Sequence, residues 1–421
     1  MWETIKRAFK IQELRKRLFF TLFLFVLFRL GTYIPVVGID RTQIQGIIQQ
    51  GGFLALLDLF SGGGYTNFSI FALSVFPYIN ASIILQLLSS VIPSLEALRE
   101  EGTEGQKKLA RYTRYLTIGL AALQAFSVLT MFRGLLVNDS ILLKIVIVVS
   151  LVAGSYIVLW LGEIMTERGI GNGVSLIIFA GIISRIPVSI VEMGRLLTAN
   201  SITPWTIVGE VISLIVLIII VLFAYQAERR IPVQYAKRIV GRKVYGGQST
   251  YIPLKLVQAG VLPIIFAVSM MSFPSTIGQF FPNSWFTKYI ATPLFGTPTG
   301  LWYNIIYFGL IVAFTYFYTT ITYDPVKLSD DLKKYGGFIP GIRPGESTAE
   351  YISGVLRKII LPTSLFLGFI AVVPNLVFSN MGIASFVFGG TSILIIIGVS
   401  LETMQEVEAY LLMRQYQGFL K

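Results

Sequence analysis

Arg29 and Glu210 are the candidates for ionisable side chains deep inside the long apolar runs of this sequence, so chemistry at membrane depth would have to start from them. Glu210 sits only a turn or two inside its run, within reach of an interface. Arg29 is deeper, and snorkelling or pairing with backbone carbonyls accounts for it better than a place on an ion pathway. Beyond these two, the usual reagents are missing. With no Cys there is no disulfide framework, thiolate metal site or cysteine nucleophile, and with no His there is no Ser–His dyad and no HExxH metal site. A serine hydrolase would then need a Lys base, and no Lys lies at depth near a Ser. The residues call for no enzyme, no metal and no cofactor.

The elements that would carry any site are membrane spans. Of 421 residues, 54% are apolar and 13% charged, about half the charge of a soluble domain. Runs near 18–36, 67–93, 110–133, 141–162, 172–191, 205–226, 253–274, 301–323, 355–374 and 388–410 each have the roughly 20 residues needed to cross a ~30 Å hydrocarbon core. The first run is too long for a cleaved signal peptide, and no small-residue cleavage site follows it. Basic residues in the intervening loops are one-sided. Of 34 Lys and Arg, 27 fall on the side of the two termini, and six, with Arg185 among them, on the other. The positive-inside rule then puts both termini of a multi-pass protein in the cytoplasm.

Two of the basic loops, 227–255 and 324–358, are long. They are either simple topology determinants touching anionic lipid headgroups or a docking surface for a large negatively charged or RNA-rich partner. Their length favours docking, because a topology signal needs only a few residues.

Two further features are unusual for a plain bundle. The segment 51–65, GGFLALLDLFSGGGY, encloses an apolar core from Phe53 to Phe60 that is only about 12 Å long as a helix. Glycines at Gly62, Gly63 and Gly64 permit sharp reversals. It is either a short re-entrant helix, tolerated where protein buries it, or an interfacial helix. The second feature is breaks within or beside spans: Pro77, the Gly169–Gly171–Gly173 series, Pro263 and Gly389–Gly390. Aliphatic pairs flank them, such as Val75 with Ile79 and Val174 with Ile178. An Ile stripe in a membrane is by default a lipid or packing face, and one sequence does not separate that from a pore lining. Ten spans also divide at about residue 200 into two sets of five, and because five is odd the second set would be inverted.

Several strings are specific enough to carry a family resemblance. They include FRLGTYIPVVGID (28–40), FSGGG (60–64), FPYINASIILQLL (76–88), EGQKKLARYTRY (104–115) and IMTERGIGNGVSLIIFAG (164–181). YAKRIVGRKVYGGQSTYIPLK (235–255), AGVLPIIFA (259–267), FIPGIRPGE (338–346) and FGGTSILI (388–395) continue the series in order. The chain resembles the SecY family of protein-conducting channels along essentially its whole length.

That resemblance implies an all-α protein of two pseudo-symmetric inverted halves, 1–200 and 201–421, forming a clamshell around a central pore. It implies a waist of aliphatic side chains at Val75, Ile79, Ile178, Ile265 and Ile395, with Val174 as a sixth. It implies a plug helix carrying Phe53, Leu54, Leu56, Leu57, Leu59 and Phe60, followed by Gly62, Gly63 and Gly64. A lateral gate between spans two and three and spans seven and eight would hold Asn80, Gln86 and Gln124. A cytoplasmic docking surface would hold Lys237, Arg238, Arg242, Lys243 and Arg343. The implied partners are the small subunits SecE and SecG, the motor ATPase SecA, the ribosome, anionic lipid, and unfolded secretory and membrane proteins as substrates. A secondary transporter of a small neutral solute on the same inverted symmetry is the alternative from another class.

Overall fold

The computed structural model describes residues 9–49, 53–199, 203–235, 238–240, 243–245, 249–281, 283–380 and 389–418. Apolar composition dictates long helices here, because a backbone in hydrocarbon must bond to itself. Span one is Gln12–Gly31, span three Thr103–Met131, span four Ile141–Arg168, span five Gly173–Thr198 and span six Pro204–Gln226. Span seven is Leu262–Phe280, span eight Leu301–Thr322, span nine Glu346–Asn380 and span ten Gly390–Gly418. Several ends have simple local causes. Proline stands at the start of spans two, six and seven, where its missing N–H costs no helical bond. At span five the Asn172 side chain accepts from Ser175 N at 3.2 Å and caps the helix.

Span two departs from the expected 67–93. Its helix occupies only Phe76–Ser89, followed by a second helix, Pro93–Glu100, bent away by 101°. Residues 61–75 are turns, with Phe68 and Ser74 at positive φ. These turns bond largely within themselves and are tied to other parts of the chain at three points. Val36 N donates to Phe68 O at 2.9 Å, Ile70 N to Ile34 O at 3.0 Å, and Ser155 Oγ to Ser74 O at 3.1 Å. Hydropathy reads a buried turn and a buried helix alike, which is why the run looked continuous.

Helices pack in two sets. Spans one to five contact one another in the series one–four, two–three, three–four, four–five, and one–five. In the second set, seven packs on eight, eight on nine, nine on ten and six on ten. The sets meet along two seams: spans two and three against seven, and span five against ten. This is a clamshell of ten spans, with the short helix Phe53–Phe60 lodged inside it against span five.

Span seven also starts later than the expected 253, at Leu262, because residues 249–255 form a strand. Strand β1, Glu228–Tyr235, pairs antiparallel with β4, Ser249–Lys255. A short hairpin, β2 Arg238–Val240 with β3 Lys243–Tyr245, lies between them in sequence. Strand β5, Gly337–Phe338, joins the far side of β1. Pro253 is tolerated because β4 is an edge strand. The sheet and the helix Pro325–Lys334 share a separate core with the start of span nine, built from Ile231, Val233, Leu254, Leu332, Ile339 and Ile352. The two long basic loops are therefore one folded unit.

Close approach of the irregular segment to span four depends on Gly154, where a Cβ would lie 1.8 Å from the Ile70 carbonyl oxygen. Gly154→Val should destabilise the purified protein by about 1–3 kcal/mol through overpacking, read as a lower melting temperature in detergent. Gly194→Val, where a Cβ meets nothing within 4 Å, should leave the melt unchanged.

Candidate functional site: the clamshell interior and its seam

The aliphatic positions come from four spans that touch in series, two on seven, seven on ten and ten on five. Val75, Ile79, Ile178, Ile265 and Ile395 are all buried within one continuous apolar cluster, and Val174 packs on it partly exposed. Val75 is the residue just before the span-two helix, and its carbonyl accepts from Ile79 N at 3.0 Å. Their burial follows from helix starts that glycine, proline or the turn before span two places inside the bundle.

The helix Phe53–Phe60 lies against this interior. Leu54, Leu57, Leu59 and Phe60 are buried, and Leu56 is partly so. Its end fits span five backbone to backbone: a Cβ at Gly181 would stand 2.4 Å from the Phe60 carbonyl oxygen. The Phe60 ring meets Phe76 of span two edge to face at 5.7 Å. Gly62 and Gly63 take the positive φ that the turn after this helix requires. Leu54 and Leu57 face a small cavity of about 20 Å³, enough for one water molecule. Its far wall is Gln124 of span three with Ser272, Thr276 and Gln279 of span seven.

That wall belongs to the seam between the two sets of helices. Ser269 Oγ of span seven donates to Asn80 Oδ1 of span two at 2.7 Å. Nδ2 of Asn80 is buried and has no partner among the described residues. Ser127 Oγ of span three donates to Gln279 Oε1 at 2.6 Å, and the rings of Phe126 and Phe280 stack beside it at 5.9 Å. Gln86 makes no bond across the seam. It donates to Ser82 Oγ of its own helix at 3.1 Å and lines a wider cavity of about 470 Å³ between spans two, three and eight. Arg99 Nη2 bridges the mouth of that cavity to the Ile321 carbonyl of span eight at 3.1 Å. The sequence reading had no place for Ser269, Ser127 and Gln279. A signal for the span-seven groups existed: Ser269, Ser272, Thr276 and Gln279 repeat at helical spacing on an otherwise apolar helix.

At the basic end, Arg238 and Lys243 lie on the hairpin strands β2 and β3, while Lys237 and Arg242 fall outside the described residues. Arg343 is exposed in the turn before span nine, where its carbonyl accepts from Thr348 Oγ1 at 2.9 Å. The sheet unit is tied to the bundle through span ten. Lys255 at the end of β4 donates to Gln405, Val261 N at the head of span seven donates to Glu402 Oε1 at 3.4 Å, and Gly171 N donates to Glu406 Oε2 at 2.9 Å.

Ten spans, an irregular segment buried at membrane depth and a polar seam between two helical sets define a multi-pass α-helical membrane protein of the channel class. The SecY family model matches residues 69–404, and the chain belongs to that family. It is 45% identical to the protein translocase subunit SecY of Streptomyces scabiei, with 100% of each chain covered. It is 46% identical to that of Mycobacterium tuberculosis H37Rv, with 97% of each covered. Among solved structures, a protein-conducting channel matches with a TM-score of 0.70 at 20% identity, covering 94% of this chain and 92% of that one. Sec61 in the canine ribosome-channel complex from the endoplasmic reticulum matches with a TM-score of 0.65 at 19% identity, covering 94% and 92%.

The seam geometry makes a direct prediction. Because the chain has no cysteine, a Ser127→Cys, Gln279→Cys pair should oxidise cleanly and report seam closure. Ser269→Ala leaves the buried Asn80 amide without its bond, a loss of about 1–3 kcal/mol, and should slow that oxidation. Asn80→Leu removes the same bond from its other end and should slow it too. Equal rates in all three backgrounds would mean that the Asn80–Ser269 bond does not hold the seam.

Proposed function

We propose that the chain is the pore-forming subunit of a protein translocase, passing unfolded polypeptides across the membrane and releasing apolar segments sideways into lipid. The observation that carries this is the pairing of buried aliphatic positions on spans two, five, seven and ten with a short glycine-ended helix lodged beside them. In this reading the Val75, Ile79, Val174, Ile178, Ile265 and Ile395 side chains form the constriction. The Phe53–Phe60 helix is the plug, and the seam carrying Asn80, Gln86 and Gln124 is the lateral gate.

The physics is that of a chain which hydrocarbon cannot solvate. Each exposed peptide group would cost several kcal/mol in lipid, so a water path must be supplied. An aliphatic constriction offers no fixed dipole to hold an ion or a passing side chain, and gates by dewetting. Its closure depends on size and apolarity, which suits substrates of any sequence. A lateral opening lets a segment partition by its summed transfer energy. No covalent step is involved, and the driving energy comes from a partner.

The halves 1–200 and 201–421 then act as the two shells, with both termini in the cytoplasm of an inner-membrane protein. The basic sheet unit is the docking surface for the ribosome and for the motor SecA, through Lys237, Arg238, Arg242, Lys243 and Arg343. Solved relatives of the same fold include Sec61 in a ribosome-channel complex and a yeast Ssh1 complex bound to the 80S ribosome, which supports a ribosome partner. SecE, SecG and anionic lipid complete the expected assembly. The transporter alternative draws no support from the comparisons.

A stalled secretory chain should crosslink to cysteines placed at Ile79, Ile178 and Ile265. Translocation that proceeds without such crosslinks would remove these residues from the constriction. Arg343→Glu should lower motor-driven export severalfold while leaving membrane insertion intact, measured with purified components. Normal export would take Arg343 out of the docking set.

A further inference from the structure

Two guanidinium groups converge on the far end of the short helix Phe53–Phe60. Asp58 is the only charged residue between Arg41 and Glu96, and its side chain is 1% exposed. Its Oδ2 lies 2.7 Å from Arg185 Nη2 of span five, and its Oδ1 accepts from Thr66 N at 2.7 Å. Arg29 of span one donates from Nη1 to the Gly62 carbonyl at 2.5 Å and to Ser184 Oγ at 3.1 Å. Its Nη2 donates to the Tyr33 hydroxyl at 2.6 Å. The turn makes room for this: a Cβ at Gly63 would come within 3.3 Å of Arg185 Nη1.

Arg185 lies twelve residues past Gly173, about 18 Å along span five. A cation at that depth needs a partner, and Asp58 is the one supplied. A buried ion pair adds little net stability, but removing one member leaves the other charge uncompensated, so such pairs specify position more than they strengthen a fold. Both arginines belong to spans one and five. On the opposite side Leu54 and Leu57 of the same helix face spans three and seven across the small cavity. One flank is held by an ion pair and by the hydrogen bonds of Arg29, and the other by apolar contact that can part when the seam widens.

We propose that the Asp58–Arg185 pair is the latch that positions the plug and sets how readily it leaves, with Arg29 as the second anchor. This rests on reading Phe53–Phe60 as the plug. Opening then requires breaking or carrying along one ion pair whose carboxylate is buried and whose guanidinium is 23% exposed, whatever the substrate's sequence.

The test uses a single Leu54→Cys label site in the otherwise cysteine-free chain, reconstituted with its partner subunits in vesicles and probed with a membrane-impermeant maleimide. Asp58→Asn and Arg185→Gln should each raise the labelling rate about tenfold, equivalent to ~1.4 kcal/mol. The double variant should match either single one, because one interaction has been removed. Asp58→Glu should stay within about twofold of the parent. Should the neutral variants fold poorly, the exchange Asp58→Arg with Arg185→Asp should restore near-parental labelling. Unchanged rates in the single variants, additive effects in the double, or no recovery on exchange would overturn the latch. Deleting residues 53–62 tests the underlying plug reading separately. The resting channel should then leak ions, and unchanged conductance would remove the plug itself.

Discussion

Backbone satisfaction at membrane depth is the constraint on which this structure rests. Ten spans meet it the ordinary way, with bonds inside each helix. Residues 61–75 do not, and the architecture around them follows from that. Many of their amides bond within the segment or back to the short helix before it, and Ile34, Val36 and Ser155 take up the Ile70 amide and the Phe68 and Ser74 carbonyls, the first two from the turn after span one and the third from span four. Gly154 and Gly181 lack side chains where that irregular backbone and the Phe60 carbonyl come close. Span two is short because the residues before it form turns instead of helix. A non-helical stretch here is tolerated because protein, not lipid, surrounds it.

The same constraint separates rigid from movable parts. Within each helical set, long apolar faces and backbone contacts join neighbours. Between the sets, the seam of spans two and three against seven is held by a few side-chain bonds such as Asn80–Ser269 and Ser127–Gln279. Few bonds, one unpartnered amide and two cavities mark a boundary whose contacts are individually small. A seam of that kind can part without either set unfolding.

Much of this was legible in the sequence, and the misreadings share a cause. Apolar runs located all ten spans, and the glycines bracketed the Phe53–Phe60 helix. Hydropathy measures burial and not backbone geometry, so it could not tell the turns 67–75 from helix, nor strand 249–255 from the start of span seven. Charge counting put Arg185, near the end of the run 172–191, with the outer side, and nothing in that count points to its partner Asp58, 127 positions away in sequence. Arg29 was legible as a residue seeking carbonyls, and Gly62 supplies one. Of the expected gate residues, Asn80 reaches across the seam, Gln124 lines the cavity beside it, and Gln86 bonds within its own helix. Ser127, Ser269 and Gln279 escaped notice because a hydroxyl or amide on a single helix has no meaning until its neighbour is known.

Midway along span ten stands a row of polar side chains, and their placement has a thermodynamic consequence. Gln405 meets the end of β4, Glu402 the head of span seven, and Glu406 the loop that opens span five. The sheet unit, span seven and the loop before span five are thereby held by about one turn of one rod. Where two sites bias the same element, their coupling is reciprocal. A partner that favours the parted seam by seating on the sheet must itself be bound more tightly when a substrate has parted it. The occupied channel would retain its engine and the idle one would release it, with no separate signal needed to report that a chain is in transit.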